Sequence, residues 1–338
     1  MLPSDIMPEK KADRRVTIMP ARPVAPASLD KAPEPTLVAR SNLKLRLGYS
    51  LRLMKPVTWF APMWAFLCGA VAVGMDWSRW ENLARLGLGI FLAGPVLCGL
   101  SQVLNDWFDR EVDALNEPNR LIPSGKVSGI QVMWTILALA ALGVAIPVYL
   151  GQPVAVLAAL GFVLALSYSV HPIRAKRNGW IGNALVAVSY EGLPWLAGSA
   201  AFGHGNQASW SAITGLSLAA AAIYSFGAHG IMTVNDFKSI AGDTIMHIKT
   251  IPVLYGVRAA AWIAVIIMDL SQLAMIVVLF FSGKGLNAGI VLLFLLAQLP
   301  LQKKFIADPK GKAIWYNTTG TTLFVYGMLV TAIGLGVQ

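Results

Sequence analysis

The sequence predicts an all-α, polytopic membrane protein. About nine transmembrane helices form one bundle around a central cavity, in two related halves that each carry an Asp-rich motif. Three observations predict it. The 338 residues are 56% hydrophobic and 13% charged, against roughly 45–50% and about 25% in soluble domains. Apolar blocks of bilayer-spanning length recur along the chain. The basic residues fall almost entirely on one side of those blocks. The same composition excludes disorder beyond the first ~50 residues, since disorder needs low hydrophobicity and high charge. It excludes a disulfide scaffold too: the two cysteines, Cys68 and Cys98, lie inside apolar runs. The net charge of +10 reads as an orientation signal rather than a nucleic-acid surface.

Residues 1–48 are a proline-containing polar leader without periodicity, expected to be disordered and cytoplasmic. They lack the apolar core of a secretory signal, and five acids (Asp5, Glu9, Asp13, Asp30, Glu34) argue against a transit peptide. Residues 49–338 form the transmembrane domain. Its blocks are 57–75, 86–104, 130–150, 153–170, 180–200, 209–234, 258–282, 286–302 and 317–337. With the N-terminus inside, the inner loops are 105–129, 171–179, 235–257 and 303–316. That arrangement puts 24 of the 27 Lys and Arg residues on the inner side; only Arg79, Arg85 and Lys284 lie outside.

Beyond the leader there are twelve acidic residues, and seven of them gather in two inner loops. The first cluster is Asn105-Asp106-Trp107-Phe108-Asp109-Arg110-Glu111-Val112-Asp113, with Glu117 just beyond it. The second is Asn235-Asp236-Phe237-Lys238-Ser239-Ile240-Ala241-Gly242-Asp243. Oxygen-bearing side chains stand at offsets 0, +1, +4 and +8 in both. At ~100° per residue these positions share about a quarter of a helix circumference. Acid at a membrane helix end is costly unless it is paired, hydrated or metal-bound. Hard oxygen ligands without His or Cys suit Mg²⁺ rather than Zn²⁺, and Mg²⁺ commonly completes its shell with substrate phosphates. Candidate metal ligands are therefore Asn105, Asp106, Asp109, Asp113, Asp236 and Asp243. Arg120, Lys126, Arg174, Lys176, Arg177, Lys238 and Lys249 lie near the same depth, where arginine forks and lysine point charges suit a diphosphate. Capping and surface pairing are the plainer alternative for any single cluster, and remain so for Arg110, Glu111 and Glu117. Intramembrane acids and repeats also mark carriers, but carriers keep polar groups near the midplane. Here only Glu191, beside Gly192 and Pro194, resembles such a break.

The two Asp-rich motifs resemble those of the UbiA-type intramembrane prenyltransferases. Longer strings resemble the chlorophyll and bacteriochlorophyll synthase branch of that family, the bacteriochlorophyll side in particular. They are Asn116-Glu117-Pro118-Asn119-Arg120, Ile122-Pro123-Ser124-Gly125, Tyr168-Ser169 with Pro172, Tyr190-Glu191-Gly192-Leu193-Pro194-Trp195, Gly227-Ala228-His229-Gly230-Ile231-Met232 and Trp315-Tyr316-Asn317. The similarity runs from about residue 50 to 335. It implies a Mg²⁺-dependent esterification of the propionate of a (bacterio)chlorophyllide by geranylgeranyl or phytyl diphosphate. The setting it implies is a bacterial cytoplasmic or photosynthetic membrane, with room for protein partners from the pigment pathway. The implied catalytic acids are Asp109, Asp113, Asp236 and Asp243. The implied diphosphate contacts are Arg120, Lys126, Tyr168, Arg174 and Lys176. Lys238, beside the second cluster, is a further candidate contact. The pigment's own metal could accept an axial imidazole from His229 or His171, with a hydrogen-bonded helix-end histidine as the plainer alternative. Tyr168 and Trp180 are aromatic candidates to face a prenyl cation.

Four positions depart from the resembled pattern. Ala241 stands where it has Glu, Thr244 where it has Arg, His247 where it has Gly, and Leu121 where it has Pro. These departures leave room for a slow or non-catalytic relative acting as a pigment-binding assembly factor. A prenyltransferase for another aromatic acceptor is a further alternative.

Overall fold

The computed structural model describes residues 43–203 and 207–337. Residues 1–42 of the expected leader, and His204, lie outside the described residues. The stretch from Leu43 to Gly48, expected as the end of that leader, instead opens helix α1 (Leu43–Leu53). Its Ser50 and the backbone of Arg46 bond to Thr135 and Gln131.

The described residues are helical throughout, without a named strand. After α1 come α2 (Phe60–Ala72), α3 (Trp80–Phe91), α4 (Gly99–Asn116), α5 (Gly129–Leu150) and α6 (Gln152–Ser169). Then follow α7 (Gly179–Ala187), α8 (Leu193–Ala201), α9 (Gly215–Asp236), α10 (Ile240–Ile245) and α11 (Ile251–Tyr255). The chain closes with α12 (Val257–Phe281), α13 (Gly285–Ala307), α14 (Pro309–Thr318) and α15 (Gly320–Gly336). A π-helical stretch over Leu92–Cys98 joins α3 to α4, and another over Val188–Gly192 joins α7 to α8. Local chemistry sets the boundaries. Ser128, Thr214 and Asp308 cap α5, α9 and α14 by accepting backbone N–H bonds. Asn178 caps α7 through the amides of Trp180 and Ile181. Gly151 takes φ 124 between α5 and α6, a left-handed conformation that lets the chain reverse within one residue.

Each of the nine predicted apolar blocks falls on a helical run. Seven helices among the described residues are long and apolar enough to cross a bilayer. α2 has 13 residues and rises only about 20 Å, short of the ~30 Å hydrocarbon core. The run through α7 and α8 is diluted by Asn183, Ser189, Tyr190 and Glu191 and is not among the seven. α3 and α4 form one long span that begins at Trp80, earlier than the expected block, and continues through the first acidic motif.

The helices close a ring. α9 packs on α12, α12 on α13, α13 on α15 and α15 on α2; α2 meets α8, α8 meets α6, α6 meets α7, and α7 returns to α9, with α4 and α5 packed against α6. Large apolar side chains such as Phe280, Phe281 and Leu286 point outward, where lipid replaces water. Backbone contact locks the α2–α8 seam. A Cβ on Gly69 would stand 1.9 Å from the Trp195 carbonyl oxygen, and one on Gly198 would stand 2.1 Å from that of Phe66. Only glycine permits that approach. The ring encloses a cavity of about 970 Å³ lined from α2, α4, α6, α8, α9 and α15 and from both π-helical stretches.

Candidate functional site

α4 stays helical across the whole first motif, so Asn105, Asp106, Asp109 and Asp113 share the face that their spacing predicts. That face meets cations from three separate segments. Lys55 Nζ donates to Asp106 Oδ1 at 2.7 Å. Arg120 Nη1 donates to Asp113 Oδ2 at 2.9 Å and stands 3.8 Å from Asp106. Arg174 Nη2 donates to Asp109 Oδ1 at 2.9 Å, and Lys176 Nζ holds the other oxygen of Asp109. Lys176 also donates to Asn105 Oδ1 at 3.0 Å, and Ser169 Oγ donates to the same oxygen at 3.2 Å. Arg174 takes a left-handed backbone, φ 38, and so does Lys55, φ 46. This costly conformation in a non-glycine residue persists where surrounding contacts enforce it.

The second motif is built differently. α9 ends at Asp236, the chain turns over Phe237, Lys238 and Ser239, and α10 restarts at Ile240. The expected continuous helical face therefore fails here. Ser239 diverts the local hydrogen bonding: its Oγ donates to Asp243 Oδ2 at 2.7 Å, and its amide donates to the Asp236 carbonyl at 3.1 Å. Asp236 Oδ2 accepts from Asn183 Nδ2 at 3.0 Å, and Asn235 Oδ1 accepts from Asn317 Nδ2 at 2.7 Å. Thr250 Oγ1 donates to Asp243 at 3.3 Å.

The two motifs meet through the basic loop between them. The Lys249 amide donates to the Arg177 carbonyl at 3.0 Å, and the Gly179 amide donates to the Lys249 carbonyl at 2.8 Å. The loop that supplies Arg174 and Lys176 to Asp109 is thus stitched to the segment just after Asp243. Tyr168 lies between them, within electrostatic reach of Asp109, Asp236 and Asp243. Asn105, Asp236, Lys238, Ser239 and Tyr168 line the inner end of the cavity.

Burial pushes the Asp113 carboxyl above the usual carboxylate range, against the pull of Arg120. Burial raises Asp243 as well, against its bonds from Ser239 and Thr250. Burial draws the Lys176 ammonium below its ordinary range, while Asp109 opposes it. Among the described residues, no three His, Cys, Asp or Glu side chains converge as a ready-made metal cage. Each acid of the first motif faces a lysine or an arginine instead. The donors are nevertheless of the kind that Mg²⁺ uses: carboxylate and carboxamide oxygens, beside cations able to hold the phosphates that complete its shell. The residues therefore fit Mg²⁺ bound together with a diphosphate.

Among the described residues, the predicted contacts Lys126 and His229 bond to neither motif. Lys126 is exposed. His229 turns from the cavity toward α7: its Nε2 meets the Trp180 carbonyl at 3.1 Å, and its ring lies 5.1 Å from that of Trp180. Its neighbours Ala228, Ile231 and Met232 line the cavity instead. Trp180 itself donates to Tyr255 Oη, so it too is engaged away from the motifs. Ala241 is exposed on α10, off the side that carries Asp243. His247 takes φ 55, which gives a physical reason for the glycine in the resembled pattern. Sequence reasoning missed Lys55, counted only as leader charge, although it directly precedes Pro56 at the start of the first apolar block. It also missed Asn183, a lone amide in an apolar run.

With this geometry in place, comparison with known proteins is direct. The sequence profile of the UbiA prenyltransferase family matches residues 47–336, and the chain belongs to that family. It is 55% identical over 287 residues to the bacteriochlorophyll synthase 34 kDa chain of Chloroflexus aurantiacus, covering 85% of this chain and 89% of that one. It is 46% identical to the bacteriochlorophyll synthase 33 kDa chain of Rhodobacter capsulatus, covering 84% and 92%. A UbiA homologue from Archaeoglobus fulgidus, solved bound to DMAPP and Mg²⁺, has the same fold. Its TM-score is 0.63 at 16% identity, over 84% of this chain and 99% of that one.

Proposed function

We propose that this protein is a (bacterio)chlorophyll synthase. It esterifies the propionate of a (bacterio)chlorophyllide with geranylgeranyl or phytyl diphosphate and releases diphosphate. One observation carries the reading: an apolar cavity ends at two acidic motifs joined by a loop of buried cations. Similarity to bacteriochlorophyll synthases over most of the chain supports the choice of acceptor.

Arg174 and Lys176 are held at the motif end by Asp109. Lys55, Arg120 and Lys238 complete a basic rim around the same end. These five side chains bind the diphosphate and neutralise the charge that gathers on it as the allylic C–O bond breaks. Asn105, Asp106, Asp109, Asp113, Asp236 and Asp243 would hold Mg²⁺. When bound there, the ion supplies further charge neutralisation to the leaving group. The apolar wall takes the prenyl chain and keeps water from the allylic cation, so that the acceptor carboxylate captures it instead of solvent. That carboxylate is already ionised near neutral pH, so the chain needs no dedicated base. Tyr168 presents its ring near the motifs, where an aromatic face can stabilise a cation. The excess of basic residues on one side supports an N-terminus and reaction end that face the cytoplasm.

The test is direct. Membranes containing the protein, given bacteriochlorophyllide, geranylgeranyl diphosphate and Mg²⁺, should form the prenyl ester. Absence of ester from membranes that hold the inserted protein overturns the assignment.

A further inference from the structure

The cavity wall holds a buried carboxyl group that the reaction above does not use. Glu191 sits on the π-helical stretch Val188–Gly192. It lines the cavity and is 5% exposed. Its Oε2 is buried without a hydrogen-bond partner. Its neighbour Tyr190 is satisfied, accepting from Gln102 Nε2 at 3.0 Å and from Cys98 Sγ at 3.3 Å. No lysine, arginine or histidine faces it among the described residues.

A carboxyl oxygen left unbonded inside an apolar wall is costly. A π-helical turn that projects it inward is a feature which recurs at functional sites. The carboxyl is also far from the diphosphate end. Asn183, on the same continuous helical run, bonds Asp236, and Glu191 follows eight residues later, about 12 Å deeper at 1.5 Å per residue. An acceptor whose propionate reaches the motifs extends the opposite rim of its ring into this depth. With no cation to balance a carboxylate, the acid form fits the wall, and its O–H is a hydrogen-bond donor.

We propose that Glu191 is a specificity-determining residue: it donates a hydrogen bond to a carbonyl oxygen on the rim of the acceptor macrocycle remote from the propionate. The inference rests on the function proposed above. It predicts that the protein distinguishes an acceptor with an acetyl group on that rim from one with a vinyl group there. The vinyl group has no acceptor atom and would leave Glu191 unpaired.

The experiment compares kcat/KM for acetyl-bearing and vinyl-bearing chlorophyllides in membranes containing wild type, Glu191→Gln or Glu191→Met. Methionine keeps the length of the side chain and removes the donor; glutamine keeps a donor. Wild type should favour the acetyl acceptor by about tenfold, the scale of one buried hydrogen bond. Glu191→Gln should retain most of that preference. Glu191→Met should lose it through a higher KM for the acetyl acceptor, with the KM for the prenyl diphosphate and vinyl-acceptor turnover unchanged. An unchanged preference in Glu191→Met, an equal loss on both acceptors, or a glutamine variant that behaves like methionine overturns the proposal. Ester formation by wild type tests the underlying function separately. If no acceptor is esterified, that reading fails first, whatever the variants do.

Discussion

Lys176→Met separates the two roles that the basic loop plays. Lys176 Nζ donates to Asn105 Oδ1 at 3.0 Å and to Asp109. The Lys176 and Asp109 side chains are only 10% and 14% exposed, so solvent screens their interaction little. Removing one member of a buried pair typically costs about 3–5 kcal/mol because the other charge is left alone. Here Asp109 keeps Arg174 at 2.9 Å, which lowers the expected loss to about 2 kcal/mol. For a chain of this size, that corresponds to a fall of roughly 3 °C in the melting temperature. Lys176→Met combined with Asp109→Asn removes both charges, so the double variant should melt above the sum of the single losses, with a coupling of about 2 kcal/mol. Activity should behave differently. A cation aimed at the leaving diphosphate contributes roughly 10²–10³-fold, and removing its carboxylate partner cannot restore it. Scanning fluorimetry in detergent reads the stability, and ester formation in membranes reads the turnover. A Lys176→Met variant within threefold of wild-type turnover, or a double variant restored to wild-type turnover, would refute the diphosphate role and leave only a structural pair.

Chelation should abolish ester formation, and Mg²⁺ should restore it; turnover indifferent to divalent cations contradicts the ligand assignment. Burial raises Asp113 and Asp243, so the folded protein holds their protons to higher pH than the unfolded chain does. Their neutral forms favour the fold at low pH, and that contribution is lost as pH rises from about 4 through the raised values. Mg²⁺ must displace the same protons. Titration calorimetry in buffers of different ionisation heat should show proton release just above the ordinary carboxylate range and none well above it. His247→Gly should raise stability by roughly 0.5–1 kcal/mol by relieving a left-handed non-glycine backbone; a lower melting temperature would show that the imidazole contributes more than the backbone strain costs. Gly198→Ala should cost about 1–3 kcal/mol, since its Cβ would meet the Phe66 carbonyl oxygen at 2.1 Å; an unchanged melting temperature would mean that the α2–α8 seam can yield.

The helical class, the positions of the apolar runs and the acidic face of α4 were legible because each depends on short-range periodicity. A 3.6-residue repeat that continues through Asp113 needs no knowledge of the partner helices. The second motif looked like a copy of the first but is broken after Asp236, because Ser239 bonds locally and the chain turns there. Periodicity does not reveal that competition. Counting apolar residues likewise located the helical runs but not where each α-helix begins and ends, since α2 covers only 13 residues of its block.

Sequence alone determined that this chain lies in a membrane, that its basic residues gather in alternate loops between the apolar runs, and which segments concentrate its acidic side chains. These follow from the cost of placing charge and unpaired backbone in hydrocarbon. The pairing of Lys55 with Asp106 across 51 residues, the turning of His229 toward Trp180, and the isolation of Glu191 in the cavity wall were decided only by the tertiary structure. Each depends on which helix faces come together, and packing chooses those faces among many that the same apolar runs allow.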